Sequence, residues 1–311
     1  MIELLDDLMK EATAGDPMSR KKWSRKDTRQ LSEDLQDKGV SICANTVAKL
    51  LKDQDYALRT NRKSIGETQH ADRNEQFEII AAMKKQFRDE GQPILSVDTK
   101  KKELVGNFKN AGTTWRKNND DVLVHDFRSD AMAIAAPYGM FEPILNRGTV
   151  VVGTSAETGE FAADAIEQWL NSFGWEGYPG MRKLLILCDG GGANNSRARL
   201  WKHSLYTKIS QAYGIQVSVC HYPPGASKWN PVEHRLFSFI SMEWAGIPLR
   251  SLDIMIECIR STRTSTGLTV EAFLNTNHYE KGIKISDRQM SEIPLERYDC
   301  LSSWNYTINP N

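Results

Sequence analysis

LLILCDGGGANN, residues 184–195, decides how the rest of the chain is read. Residues 184–188 are too few for a helix and have the unbroken apolarity of a strand buried on both faces. Asp189 therefore stands at a strand's carboxyl end, the edge at which open α/β sheets bind ligands. Gly190, Gly191 and Gly192 follow, and without Cβ atoms they let other groups approach the backbone. The same letters suit an ordinary Asp-Gly turn. The choice between turn and ligand site rests on whether another strand ends in the same way.

ILSVD, residues 94–98, is such a strand, and it closes on Asp98. LVGNF, 104–108, reads as its hairpin partner and TVVVGTS, 149–155, as a third strand. Residues 161–173 form a helix with Phe161, Ala165, Ile166, Trp169 and Leu170 on one side. A helix over 196–213, the strand QVSVCHY and a helix in NPVEHRLFSFISMEW follow, the last with Pro231 in its first turn. Three consecutive strands and then alternating helix and strand predict an α/β fold, a mixed sheet flanked by helices. Glu233 precedes Leu236, Phe237 and Ile240 by three, four and seven residues. That spacing turns its carboxylate toward the face that packs on the sheet.

Two unit charges 4 Å apart repel by ~4 kcal/mol at an effective dielectric of about 20. Three converging carboxylates therefore require protons or cations. An all-oxygen set suits Mg²⁺ or Mn²⁺, and two such ions about 3.5 to 4 Å apart can serve both the attacking and the leaving oxygen of an in-line phosphoryl displacement. Taken singly, Asp98 also reads as a turn cap and Glu233 as an ion-pair partner of Arg235 or Lys228; taken together, the three acids favour the metal site. GGGANN lacks the glycine spacing of a dinucleotide fingerprint, and none of the six histidines falls in an H-E-x-x-H pattern. His125, His221 and His234 are candidates for proton transfer or phosphate contact. Trp229, between Lys228 and Asn230, is a candidate for stacking on an unpaired base.

The 311-residue chain carries no net charge, but its charges are unevenly placed. Residues 20–63 hold 12 Lys and Arg against 6 Asp and Glu, and residues 99–117 hold 6 against 1. Two basic tracts in a neutral chain point to a polyanion. Within the first, a helix capped by Asp27 or Thr28 with Leu31 and Leu35 inward, a turn at Gly39 and a second helix with Val47, Leu50 and Leu51 inward make a helix-turn-helix pattern. Its outer face offers Asn45, Thr46 and Lys49 to a groove, and the tail with Arg59, Arg62 and Lys63 can lie on phosphates. In the second tract, Lys100, Lys101 and Lys102 follow Asp98 directly and are expected to face substrate. The expected organisation is a helix-turn-helix region at 1–64, a connecting helix at 65–92, a catalytic domain at 93–275 and a C-terminal extension at 276–311. No run approaches the ~20 apolar residues of a membrane span, so no membrane partner is expected. The acidic, amphipathic start lacks the regions of a signal peptide, and cytoplasmic action is expected. The five cysteines are widely spaced without C-x-x-C and read as reduced thiols.

These residues carry a family resemblance. SVDTKKKELVGNFKNAG, CDGGGANNSRARLWK, CHYPPGASKWNPVEHRLFSFIS, TNHYEKGIKISD and WNYTINP resemble the motifs of insertion-sequence transposases of the ISAzo-thirteen family, in the DDE superfamily. The likeness runs from about Asp16 to Pro310. It implies an RNase-H-like catalytic domain with Asp98, Asp189 and Glu233 as catalytic, metal-binding acids. It further implies divalent-metal-dependent cleavage and joining of DNA, with transposon ends and target DNA as partners and a homodimer on DNA. Members carry an additional amino-terminal helix-turn-helix segment ahead of the region where this chain begins, which implies a shortened copy. Two other readings of the same residues are a non-catalytic DNA-binding remnant that represses and an RNase-H-like nuclease that cleaves without joining.

Overall fold

The computed structural model describes residues 2–15, 22–24, 26–58, 70–226 and 229–311. The chain separates into two compact units, Met1–Ile65 and Gly66–Asn311. In the first, α1 (Ile2–Ala12), the paired strands β1 (Thr13–Gly15) and β2 (Lys22–Ser24), α2 (Thr28–Asp37) and α3 (Ala44–Asp53) follow in order. Asp27 caps α2, its carboxylate accepting from the backbone N–H groups of Arg29 and Gln30 while Gln30 returns a bond to the cap. Gly39 turns the chain at φ +88°, a conformation suited to glycine. Leu31, Leu35 and Val47 are buried with Leu5 and Leu8 of α1.

In the second unit α4 (Arg73–Asp89) leads into β3 (Ile94–Thr99), β4 (Glu103–Val105), β5 (Ala133–Glu142) and β6 (Arg147–Gly153). Helix α5 (Gly159–Trp169) runs through a π-helical turn, Leu170–Gly174, into α6 (Trp175–Gly177), and β7 (Lys183–Asp189) follows. Next come α7 (Arg199–Leu205), another π-helical turn, Tyr206–Ser210, α8 (Gln211–Tyr213) and β8 (Gln216–Tyr222). The helix beginning at Pro231 passes through a third π-helical turn, Glu233–Phe237, into α9 (Ser238–Glu243). The unit closes with α10 (Leu252–Ser261), β9 (Thr269–Asn275), α11 (Asp287–Ser291), β10 (Leu295–Arg297) and β11 (Asn305–Ile308).

The nine strands from β3 onward form one mixed sheet in the order β10-β11-β8-β7-β3-β5-β6-β9, with β4 paired to β5. At its centre β3, β5 and β6 run antiparallel in sequence, and β7 and then β8 lie parallel to β3 on the other side. Three antiparallel strands followed by two parallel to the first is the RNase-H-like arrangement. One face of the sheet carries Leu95, Val97, Ile186 and Cys188 against α5 and α7. On the other face α4 covers Ile94, Leu185 and Leu187, while the helix from Pro231 and α10 cover Phe141, Val150 and Val270.

Two features differ from the sequence reading. Residues 104–108 were expected to pair with β3, but β4 pairs with β5, and β5 itself was not foreseen. Pro137 and Gly139 inside β5 weaken its strand signature. Pro137 lies just beyond the last β3 pair, Thr99 with Tyr138, and its carbonyl accepts from Lys100 N–H, so the absent donor breaks no β3 bond. Residues 295–308, drawn as a terminal extension, supply two strands that continue the sheet beyond β8.

Candidate active site

Side chains alternate across a strand. Ile94, Ser96 and Asp98 therefore share one face of β3, and Leu185, Leu187 and Asp189 share the same face of β7. This is the face on which the helix from Pro231 packs. Its close approach depends on two glycines. A Cβ on Gly139, the residue paired with Asp98, would meet the Phe237 ring at 2.4 Å, and one on Gly148 would meet Leu236 at the same distance. Leu236, Phe237 and Ile240 fill that space, each at 3% exposure or less, and burial of each such side chain stabilises the contact by roughly 1.5–3 kcal/mol.

Asn230 sets the start of the helix. Its side-chain amide donates to Val97 O at 3.3 Å, its side-chain oxygen accepts from Val232 N–H, and its carbonyl accepts from Glu233 N–H. Glu233 then opens the π-helical turn, a widened turn found often at functional sites.

The electrostatics report the convergence. Burial first, then the charges of Asp189 and Glu233, push the Asp98 carboxyl up from 3.8 to about 8, against a 2.7 Å hydrogen bond from Thr99 N–H that favours the anion. Asp189 is also raised, by burial and by Glu233. Among the described residues no three His, Cys, Asp or Glu side chains stand at metal-holding positions as they are. Asp98 and Asp189 nevertheless both feel the charge of Glu233, and the oxygen-only chemistry of the three acids fits a hard divalent cation. Such a charge would reverse the cost that raises Asp98 and Asp189.

The glycines after Asp189 leave space open. A Cβ would meet nothing within 4 Å at Gly191 or Gly192, and only Ser196 Oγ, at 3.8 Å, at Gly190. Gly192 also takes φ +57°. Asp189, Gly190 and Gly191 line a cavity of about 480 Å³ with Arg197, Tyr222 and Trp304. Asn194, buried at the end of the loop, accepts from Tyr138 Oη at 2.8 Å and ties the loop to β5.

The other expected contacts divide. Asn45, Thr46 and Lys49 are exposed on α3. Arg59, Arg62, Lys63 and Lys228 lie outside the described residues. Lys101 is exposed, while Lys100 pairs with Glu103 at 2.6 Å over the Trp244 ring and Lys102 pairs with Glu157 at 2.8 Å. All three lysines line a second cavity of about 570 Å³, with Lys109 and Arg128. Trp229 is 41% exposed, with the Arg73 guanidinium 4.4 Å from its ring centre and Phe77 at 5.6 Å. Asn230 departs from expectation: it is fully buried and holds two elements together instead of facing DNA. His221 is likewise fully buried, its imidazole pushed down to about 4 by desolvation, and it contacts the protein's own Asp189 carbonyl instead of a phosphate. His125 and His234 are exposed. The anchoring roles of Asn230, Asn194 and His221 have no local sequence signal, since each partner lies between 32 and 133 residues away.

The profile of a family described as the Rhodopirellula transposase DDE domain matches residues 4–310. Among solved structures, the chain is similar to a Mos1 transposase paired-end complex with the left transposon end, at 13% identity and TM-score 0.43 over 81% of this chain and 68% of that one. It is also similar to the Mos1 strand transfer complex, at 13% identity and TM-score 0.44 over 83% and 68%. A third is a Mos1 mariner paired-end complex with Mn, at 12% identity and TM-score 0.43 over 81% and 68%. No curated protein sequence matches. No helix among the described residues is long and apolar enough to cross a membrane.

Proposed function

The chain belongs to this DDE transposase family, and from that premise we propose that it cuts DNA at transposon ends and joins the freed ends to target DNA, with Asp98, Asp189 and Glu233 as its catalytic acids. The observation that carries the reading is that β3 and β7 end side by side with Asp98 and Asp189 on one sheet face, where burial and the nearby Glu233 charge raise both carboxyls. Asp98, Asp189 and Glu233 would hold Mg²⁺ or Mn²⁺, two ions on this reading, and the bound metal would supply the positive charge that a phosphoryl displacement needs. The protein's own part is to hold three carboxylates on a rigid sheet edge, with the open glycine loop leaving room for the strand being cut. In the first step water attacks phosphorus at the transposon end and the displaced 3′-oxygen leaves with a proton as a hydroxyl. In the second, that 3′-hydroxyl attacks a target phosphorus, forms the new P–O bond, and displaces the target's own 3′-oxygen.

Affinity for duplex comes from the amino-terminal basic region, read as a helix-turn-helix that presents Asn45, Thr46 and Lys49 to a groove, aided by Arg59, Arg62, Lys63, Lys228 and exposed Lys101 on phosphates. A homodimer handles the two ends together. The deciding experiment incubates the protein with a duplex carrying the element's own terminus, with Mg²⁺ or chelator, and follows nicking and then joining to a target plasmid. Metal-dependent nicking with joining supports the proposal. Binding without nicking would favour a repressor, and nicking without joining a nuclease.

A further inference from the structure

Behind the site, three side chains and one main-chain carbonyl, from four elements, form a directed chain of hydrogen bonds. Asp189 O can only accept, so the His221 Nδ1 that stands 3.2 Å from it carries the proton. His221 Nε2 is then an acceptor, and the group 3.2 Å away is Tyr306 Oη, which must donate. Tyr306 Oη in turn accepts from Trp201 Nε1–H at 3.0 Å. Cys188 Sγ, 3.4 Å from the same Nδ1, adds a weak acceptor. Trp201, His221 and Tyr306 have no exposed surface, so water cannot replace any link, and a donor stripped of its partner there stays unsatisfied.

The backbone around this chain is held as well. His221 N–H donates to Trp304 O at 2.9 Å. Gln76 of α4 donates to His221 O at 2.8 Å and exchanges two amide bonds with Asn305, the first residue of β11. Strand β11, at the far end of the sequence, is thus bonded to the residue that grips Asp189.

We propose that β11 is a positioning element of the site, in which Tyr306 orients His221, and His221 fixes the Asp189 peptide so that its carboxylate is aimed at the divalent ion. This rests on the metal-dependent reading above. Asp189 is the last residue of β7 and is followed by three glycines that constrain the chain little. Its carbonyl is therefore the natural place to anchor the carboxylate, as hydrogen-bonded supports do for metal ligands generally.

Two measurements on the full chain test the proposal. Imidazole ¹⁵N resonances of the metal-free protein should show His221 in the Nδ1–H form, and Tyr306→Phe should perturb its Nε2. Mn²⁺ binding, followed by the EPR signal of the free ion, should weaken about 10- to 100-fold in Tyr306→Phe and in His221→Leu. His221→Asn, which keeps an N–H donor near the Nδ1 position, should recover most of the affinity even if its melting temperature is as low as that of His221→Leu. A purely structural role would lower melting temperature in all three variants and leave Mn²⁺ affinity unchanged in the folded fraction, which overturns the proposal. So does an Nε2–H tautomer in the wild type. If wild-type protein binds no Mn²⁺ while His221 shows the Nδ1–H form, the hydrogen-bond chain stands and the metal-dependent reading fails.

Discussion

The side-chain amide of Asn230 donates to the carbonyl of Val97 across 3.3 Å, joining the first turn of the Glu233 helix to the residue before Asp98. Strand and helix are 133 residues apart in sequence at this point, and this hydrogen bond adds to the packing of Leu236 and Phe237 over Gly148 and Gly139 in fixing the distance between the first and third acids. Asn230→Ala should reduce the single-turnover cleavage rate at saturating DNA by about 10²-fold, the effect of a displacement on the order of 1 Å at a reacting centre. Duplex affinity should stay within about twofold, and a wild-type rate would show that Glu233 is held by packing alone.

The acids themselves should behave as an all-or-none set. Asp98→Asn, Asp189→Asn and Glu233→Gln each remove an ionised oxygen from the edge, and each should abolish cleavage while gel-shift binding of end DNA persists. Mg²⁺ and Mn²⁺ should support turnover. Ca²⁺, with its larger and looser shell, should permit assembly with little cleavage. Full activity in any one variant removes that residue from the site.

Asp98 also gives the fold a pH dependence with a defined sign. Its carboxyl titrates near 3.8 in an ordinary setting and about 8 here, so across that window the folded state keeps a proton that the unfolded state has released. Stability of the metal-free protein from this group therefore falls as pH rises from about 4 to 8 and levels off beyond. Protons and cations compete for the same oxygens, so added Mg²⁺ should raise the melting temperature more at pH 8 than at pH 5. Asp98→Asn should flatten the metal-free profile. Melting curves over that range, with and without Mg²⁺, check both points.

Gly139 is required by its neighbour. A methyl group there would stand 2.4 Å from the Phe237 ring, which is buried at 3% exposure, and the crowding should cost about 1–3 kcal/mol of stability. Because Gly139 pairs with Asp98, Gly139→Ala should also slow cleavage, and Gly139→Ala with Phe237→Leu should restore part of both. Melting temperature and single-turnover rate, measured on the single and double variants, decide it.

Two lysines separate binding from positioning. Lys49 is exposed on α3, so Lys49→Ala should weaken duplex binding and leave the rate of a pre-assembled complex unchanged. Lys101 is exposed beside the site, whereas Lys100 and Lys102 are occupied by Glu103 and Glu157. Lys101→Ala should lower the slope of log affinity against log salt by about 0.9, and Lys102→Ala by less. Titrations from low to moderate salt distinguish them; wild-type slopes in both variants would place neither on a phosphate.

What could be read in the sequence was what a few neighbouring residues decide. The apolar runs before Asp98 and Asp189 mark strand ends because a strand buried on both faces needs continuous apolarity. Alternation along each strand then puts both aspartates on one face. The spacing from Glu233 to Leu236, Phe237 and Ile240 marks one apolar helix face, although the turn Glu233–Phe237 is π-helical and the tertiary structure sets the final direction of that acid. The caps of α2 and the Gly39 turn are local in the same sense.

Tertiary structure decided the rest. Strand β5 hides behind Pro137 and Gly139, two poor strand residues; one lies just past the β3 ladder, and the other is small so that Phe237 can fit. Only the fold turns Asn230 inward, occupies two of the three lysines after Asp98, and brings β11 to the back of the site. Trp201 and Tyr306 are 105 residues apart, and His221 and Tyr306 85. By itself the sequence determined where the two acid-bearing strands end and which of their residues share a face, since backbone geometry sets alternation over a pair of residues. Which strands lie side by side, and which buried donor meets which acceptor, follow from closing the whole chain around one core, where every buried polar group must find a partner from any part of the sequence.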